Sequence, residues 1–363
     1  MQQPTIPERL QISPFLVFYV IVSMQVGIGI LGYQRYIAKG AGYDAWISVL
    51  ITGLSLHVIL WMIYKICETV NGDLVSAHTF VFGNVLGKAL SSLSILYYCA
   101  YAIAIVRSYV EIIQVWMFHD MSTFWFSLAI MLLVVYIVFG GFRTVVGIAF
   151  FSIVLPSYLI FTFVFAFKYS NFQNLLPIFD HSLKEFAVSA KNMSLSYLGF
   201  EVVLFCFPFI KEPEKSKKWA HLGVLVTTLL YTGLTVLTFA YFSEETLKRT
   251  IWPTLQMWRI SELPFVERLE YIGIANWLLI ILPNICLSVW IASRIIKQVV
   301  NLKQKISVLL IASLCIIIPV FFQKREEIML LDRYISEMGF WLTYVYIPFL
   351  FTSVLIAKKV KGK

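Results

Sequence analysis

The chain has 363 residues, of which 60% are hydrophobic and only 13% charged, and its mean hydropathy is +0.81. Soluble domains run at about 45–50% apolar and about 25% charged, so a soluble enzyme of this size is excluded and the solvent is a bilayer. The net charge of +9 comes from 29 basic and 20 acidic residues that collect in short runs between apolar stretches. That pattern sets membrane orientation and does not make a nucleic-acid face. With 30 Phe, 19 Tyr and 10 Trp, the chain is also rich in rings that favour membrane interfaces.

A bilayer core about 30 Å thick needs roughly 20 apolar residues of helix. Charge-free windows of about that size run over 10–34, 45–64, 89–106, 121–142, 144–167, 222–243, 271–293, 306–323 and 338–357, and a tenth, 192–210, qualifies if Glu201 is allowed inside it. The expected fold is therefore an all-α integral membrane protein of ten transmembrane helices. The first window is long, lacks a clear small-x-small cleavage site and precedes nine others, so it reads as a span and not as a signal peptide. An even count puts both termini on one side. That side then carries 16 Lys and Arg against 12 on the other, which places the termini in the cytoplasm. The opposite loops, about 168–191, 243–270 and 324–337, carry most of the acids. The stretch 67–87 is too polar to span and reads as a cytoplasmic loop with an interfacial helix. No linker or low-complexity run divides the chain, so residues 1–363 form a single membrane domain.

Two windows are interrupted. In the first, Gly27, Gly29 and Gly32 fall within eight residues. Glycine costs about 1 kcal/mol against alanine in a helix interior, so this run predicts a break, with a small-residue packing face as the alternative. The tenth-qualifying window is interrupted at Ser196-Tyr197-Leu198-Gly199-Phe200-Glu201, and Glu201 is the one acid deep in a window. A carboxylate there costs about 2.5 kcal/mol or more unless paired, protonated or facing a cavity. Gly27 and Gly199 lie 172 residues apart, close to half the chain. Gly-interrupted spans in two halves point to an inverted-repeat transporter fold, five plus five, with repeats of about 10–168 and 186–357 and the site at the midplane.

In that arrangement the half-helix from about Gly29 and Ile30 offers amides to a carboxylate. The carbonyls around Gly27, Ile28 and Gly199, with Leu198, Phe200 and Glu201 beside them, suit an ammonium group. The expected ligand is an α-amino acid. Tyr97 and Tyr101 of the third window and Asn276 of the eighth would flank it, and Tyr98 belongs to the same aromatic run. Arg107 and Glu111 are expected to pair with each other at i,i+4. The five cysteines are read as small core residues. The five histidines show no metal spacing, no phosphate loop or nucleophile elbow is present, and no catalysis, metal or cofactor is expected.

The runs GIGILGYQRYIAKGAGYDAWISVLI, LGFEVVLFCFPFIKEPEKSKK and FVERLEYIGIANWLL together resemble the B subunit of GerA-type spore germinant receptors, of the amino acid, polyamine and organocation transporter superfamily. The resemblance covers essentially the whole chain. It departs at Gln34, where that family commonly has proline before the arginine, which leaves the exit angle of the broken helix open. The resemblance implies a subunit of the spore inner membrane that binds a small nutrient and signals germination alongside A and C subunits. An ion- or proton-coupled amino acid transporter, and a water or ion path within a complex, are the competing functions. A sodium site is thinly supported, because the eighth window offers little beyond Asn276, Asn284, Ser288 and Ser293.

Overall fold

A computed structural model describes residues 6–260 and 268–362. It is helical nearly throughout, and among the described residues the only extended pairing is an isolated parallel bridge between Ile12 and Ile210. In chain order the helices are α1 (Leu16–Gln25), α2 (Tyr33–Ala41), α3 (Ala45–Val70), α4 (Leu74–Trp116), α5 (Thr123–Phe139), α6 (Phe142–Val154), the short α7 (Leu159–Thr162) and α8 (Val164–Phe167), and α9 (Leu183–Ser194). The second half holds α10 (Val203–Cys206), α11 (Pro213–Tyr241), α12 (Glu244–Arg249), α13 (Pro253–Trp258), α14 (Leu269–Val299), α15 (Gln304–Ile317), α16 (Arg325–Trp341) and α17 (Ile347–Val360).

Seven of these helices or continuous runs are long and apolar enough to cross a membrane, and three shorter apolar helices, Leu16–Gln25, Thr123–Phe139 and Phe200–Phe209, accompany them. The chain is an integral membrane protein by this measure, since every backbone polar group in hydrocarbon must be satisfied inside its own segment. The windows do not share burial equally. The most apolar window of Leu269–Val299 is 72% buried, against 22% for those of Phe142–Phe167 and Arg325–Val360. The core therefore runs along α14 and its neighbour α4, with the other two at the rim.

Local chemistry sets the boundaries. Asn71 closes α3 in the left-handed region at φ 47°, and Asp73 opens α4 by accepting from the Ser76 amide. Ser182 and Glu185 form a reciprocal capping box on α9, and the hydrogen bonds from Ser182 hold the Glu185 carboxyl below its ordinary range. Gly83, at φ 80°, breaks α4 into two legs. The legs cross so closely that a Cβ on Gly87 would lie 2.7 Å from His78 backbone atoms, and His78 Nδ1 pairs with Ser91 Oγ at 2.8 Å.

Two sequence expectations need correction. The stretch 67–87 holds a helix as expected, over 74–82 between a three-residue turn at 71–73 and the break at Gly83. The expected loop over 324–337 is instead α16, which continues through Leu342–Tyr346 into α17. Its charges sit around a helix and are paired, Arg333 with Glu337 at 3.2 Å and Arg325 with Glu111 at 2.6 Å. That second pair also displaces the expected one between Arg107 and Glu111. Arg107 donates its Nε to the Phe322 carbonyl at 2.6 Å instead.

On the side of the N-terminus, the Ile12 amide donates to Phe209 O at 2.8 Å and the Lys211 amide to Ile12 O at 2.9 Å. Lys211 pairs with Glu8 and holds its carboxyl below the usual range, and Arg143 reaches Arg9 O at 3.0 Å. The segment before α1 is thus fastened to the segment after Phe209.

The closest helix approach tested by a missing side chain is between α3 and α11, where a Cβ on Gly53 would collide with the Thr228 side chain, whereas one on Gly147 would meet nothing within 4 Å. Overpacking costs about 1–3 kcal/mol. Gly53→Ala is expected to lower the Tm of the detergent-solubilised protein by several degrees and Gly147→Ala to leave it unchanged or raised, as followed by circular dichroism.

Candidate functional site

The first interruption begins where α1 ends. Its ladder closes with Val26 N donating to Val22 O at 2.9 Å, a short 3-10 turn covers Ile28–Leu31, and helix resumes at Tyr33. The second begins after α9. Residues 195–199 turn, Gly199 adopts φ 117°, and Phe200–Val202 forms a 3-10 turn before α10. Only glycine takes that dihedral at little cost, and a Cβ there would also lie 2.7 Å from Met24 O. Position 199 is constrained twice, by its own backbone and by the neighbouring break.

The two interruptions touch. Gln25 Nε2 donates to Tyr197 O at 2.9 Å, linking residues 172 apart. Tyr231 OH donates to Gln25 O at 2.9 Å and to Ser196 O at 3.3 Å, so one hydroxyl holds both. Asn284 Nδ2 donates to Met24 O at 3.0 Å. The Glu201 side chain is buried and its Oε2 accepts from the Gly199 amide at 2.7 Å. Thr254 Oγ1 donates to Ile30 O at 2.9 Å. These bonds take up backbone groups that the helix breaks release.

Some expected contributors are already engaged. Gly199 O accepts from Val202 N at 3.1 Å and Gly29 O from Gly32 N at 3.1 Å. Gly27 is buried, with Asn284 Nδ2 only 3.3 Å from where its Cβ would stand. Ile28 is half-buried and Gly29 exposed. Leu198 and Tyr97 both meet Gly339 of α16, whose Cβ would lie 2.7 Å from Tyr97 OH. Tyr97 stacks on Tyr101 with centroids 6.2 Å apart, and Tyr98 stands edge-on to Phe205 at 5.1 Å. Phe200 is fully buried. Asn276 is apart from this group, turning back to donate to Ile272 O of its own helix at 2.9 Å. Asn284, eight residues further along α14, is the side chain that reaches the break.

Three buried oxygens in this region have no hydrogen-bond partner in the protein: Gln25 Oε1, Asn284 Oδ1 and Tyr98 OH. Buried polar atoms of native proteins are nearly always paired, and a carboxylate lies among them at Glu201. The set is rich in hydrogen-bond acceptors. Among the described residues, no group of three His, Cys, Asp or Glu is arranged to hold a metal.

Gln25 and Tyr231 join the breaks without having been among the expected contributors, and Asn284, which the sequence offered only as one polar group of the eighth window, takes the place expected of Asn276. Gln25 carried a signal, as an amide in an otherwise apolar run one turn before the glycines. Asn284 carried a weaker one, following Pro283 inside α14. Tyr231 carried none, because its reach across to two other segments is a matter of packing.

The chain is 42% identical to spore germination protein GerQB of Bacillus cereus over 95% of this chain and 96% of that relative. It is 22% identical to spore germination protein A2 of Bacillus subtilis (strain 168) over 98% of both chains, and 24% identical to spore germination protein B2 of the same organism over 71% of both. The family profile described as spore germination protein matches residues 11–328, and the chain belongs to that family.

Proposed function

We propose that the chain is the B-type membrane subunit of a nutrient germinant receptor, and that it binds a small molecule carrying an ammonium group, an α-amino acid, between its two interrupted segments. In this reading ten helices span the membrane as two five-helix repeats of one domain, with the breaks at the midplane and both termini cytoplasmic. The protein sits in the spore inner membrane and works with A and C subunits. The observation that carries the reading is the joining of the breaks: Gln25 holds Tyr197 across the same 172-residue offset that separates Gly27 from Gly199, and unpartnered oxygens cluster beside the joint. Names of the relatives support the germination role.

Signalling follows from differential affinity. A ligand shifts a two-state protein only by as much as it binds one state better than the other. A nutrient ammonium that engages Gln25 Oε1, Asn284 Oδ1 and the Glu201 carboxylate favours the arrangement in which the two breaks face one another. That bias is the signal passed to the partner subunits.

Gly29 gives the cleanest test, since a Cβ there would be no nearer than 3.8 Å to Ser196 and the fold accepts it. Gly29→Val is expected to leave the amount of protein in the spore membrane unchanged and to abolish the germination response to the cognate nutrient, read as loss of spore optical density; a normal response would remove the site from this location. Asn284→Leu should raise the nutrient concentration for half-maximal response about tenfold or more, the loss of one hydrogen bond to a charged group at about 1.5–3 kcal/mol.

The buried Glu201 carboxylate favours a second reading, a proton-coupled transporter. Uptake of labelled amino acid into vesicles separates the two. Absence of uptake with both the parent protein and Glu201→Gln, alongside a retained germination response in the parent, is the outcome expected of a sensor, and pH-dependent uptake that Glu201→Gln abolishes is that of a transporter.

A further inference from the structure

Beyond the first break, α2 carries Arg35 and Lys39 one turn apart, an i,i+4 spacing that puts both cations on one face of the helix. Across from them α12 adds Lys248, and the three line a small recess together with Glu244, Tyr43 and Leu247. Its volume of about 20 Å³ is room for one small occupant. Part of the wall is apolar. Leu247 is buried, and the Tyr43 hydroxyl is already spent on Phe242 O at 2.7 Å. The charges of the recess do not balance. Glu244 is the one acid among the residues lining it, and it pairs with Lys248 at 3.4 Å. Lys39 Nζ stands 5.4 Å from the centre of the Tyr36 ring, a contact that occupies no hydrogen-bond acceptor. Arg35 is half-buried, its Nε is buried without a hydrogen-bond partner, and among the described residues it has no ion pair.

A guanidinium cannot shed its proton to escape such a place. Buried charge is tolerated when it is paired, and an unmet donor on a charged group costs more than one on a neutral group. A water molecule would accept from Arg35 Nε but leave three cations facing one acid. An anion answers both needs. The volume admits a single ion of halide size and not a carboxylate or phosphate with its substituents. We propose that this recess is a binding site for a monoatomic anion, chloride being the common one in water, held by Arg35 with Lys39 and Lys248 between α2 and α12. Bound there, the ion relieves the repulsion among the three cations and ties the helix that follows the first break to the connection after α11. That helix is already tied to α13, where Gln34 Nε2 donates to Thr254 Oγ1 at 2.9 Å. None of the three cations is among the residues that join the two breaks, so the anion site stands apart from the nutrient site.

Thermal unfolding of the purified full chain, without nutrient, tests the site as sodium chloride replaces sodium gluconate at constant ionic strength. A ligand that binds only the folded state raises Tm with its concentration. Expected are a saturable rise with chloride, the same with bromide, and none with sulfate. Arg35→Gln should raise the chloride concentration for half of that rise about tenfold or more, as loss of a hydrogen bond from a charged group does. Lys39→Gln should raise it and Glu244→Gln should lower it, each several-fold, because one removes a cation from the recess and the other the competing carboxylate. These two opposite shifts decide the matter even if Arg35→Gln does not fold. Arg333→Gln, which removes an exposed cation of α16, should leave the chloride dependence as it is in the parent. No change of Tm on exchanging gluconate for chloride would overturn the site, as would an equal rise with sulfate. A chloride dependence that Lys39→Gln and Glu244→Gln both leave unmoved would overturn it too.

Discussion

Hydrocarbon offers no hydrogen bonds, and that single constraint organises this molecule. A helix satisfies its own amides and carbonyls, so most of the chain is long helix, and each departure from helix must find partners elsewhere. Here the departures find one another. Met24 O is taken by Asn284, Gln25 O and Ser196 O by Tyr231, Tyr197 O by Gln25, and the Gly199 amide by Glu201. Two irregular segments that would each be unstable alone are made tolerable by being placed together, with α14 and α11 supplying the remaining groups.

The same accounting explains why the site is polar without being open. Satisfying freed backbone groups requires side chains of limited reach, and these bring surplus atoms with them. An amide side chain that donates one hydrogen bond still carries an acceptor oxygen, as Gln25 and Asn284 do. The surplus acceptors sit beside a carboxylate. The side chains that repair the helix breaks are therefore the same ones that leave acceptor oxygens beside Glu201.

Much of this was readable from the sequence because it rests on local signals. Glycine spacing located both interruptions, and a lone acid in an apolar window marked Glu201. Among the described residues, seven of the apolar windows fall in helices long and apolar enough to cross a membrane, and the other three meet only shorter apolar helices. What was not readable depended on distance in space. The partner of Glu111 is Arg325, 214 residues away, and nothing in the spacing of Arg107 and Glu111 could reveal that a third charge outcompetes the i,i+4 neighbour. Charge density misled at 324–337, where acids and bases interspersed on a helix resemble a loop until they are seen to pair. Asn276 and Asn284 are two turns apart on α14, and hydropathy does not rank one above the other; only the crossing point of α14 with α1 does.

The stitch between Ile12 and the Phe209–Lys211 segment has a mechanical consequence. It binds the start of α1 to the end of the Phe200–Phe209 segment, while the Gly199 contact with Met24 binds the end of α1 to the start of that segment. The two fastenings lie roughly 18 Å apart along α1 at 1.5 Å per residue. With both ends fastened, any displacement of α1 against the Phe200–Phe209 segment must break one of these two contacts.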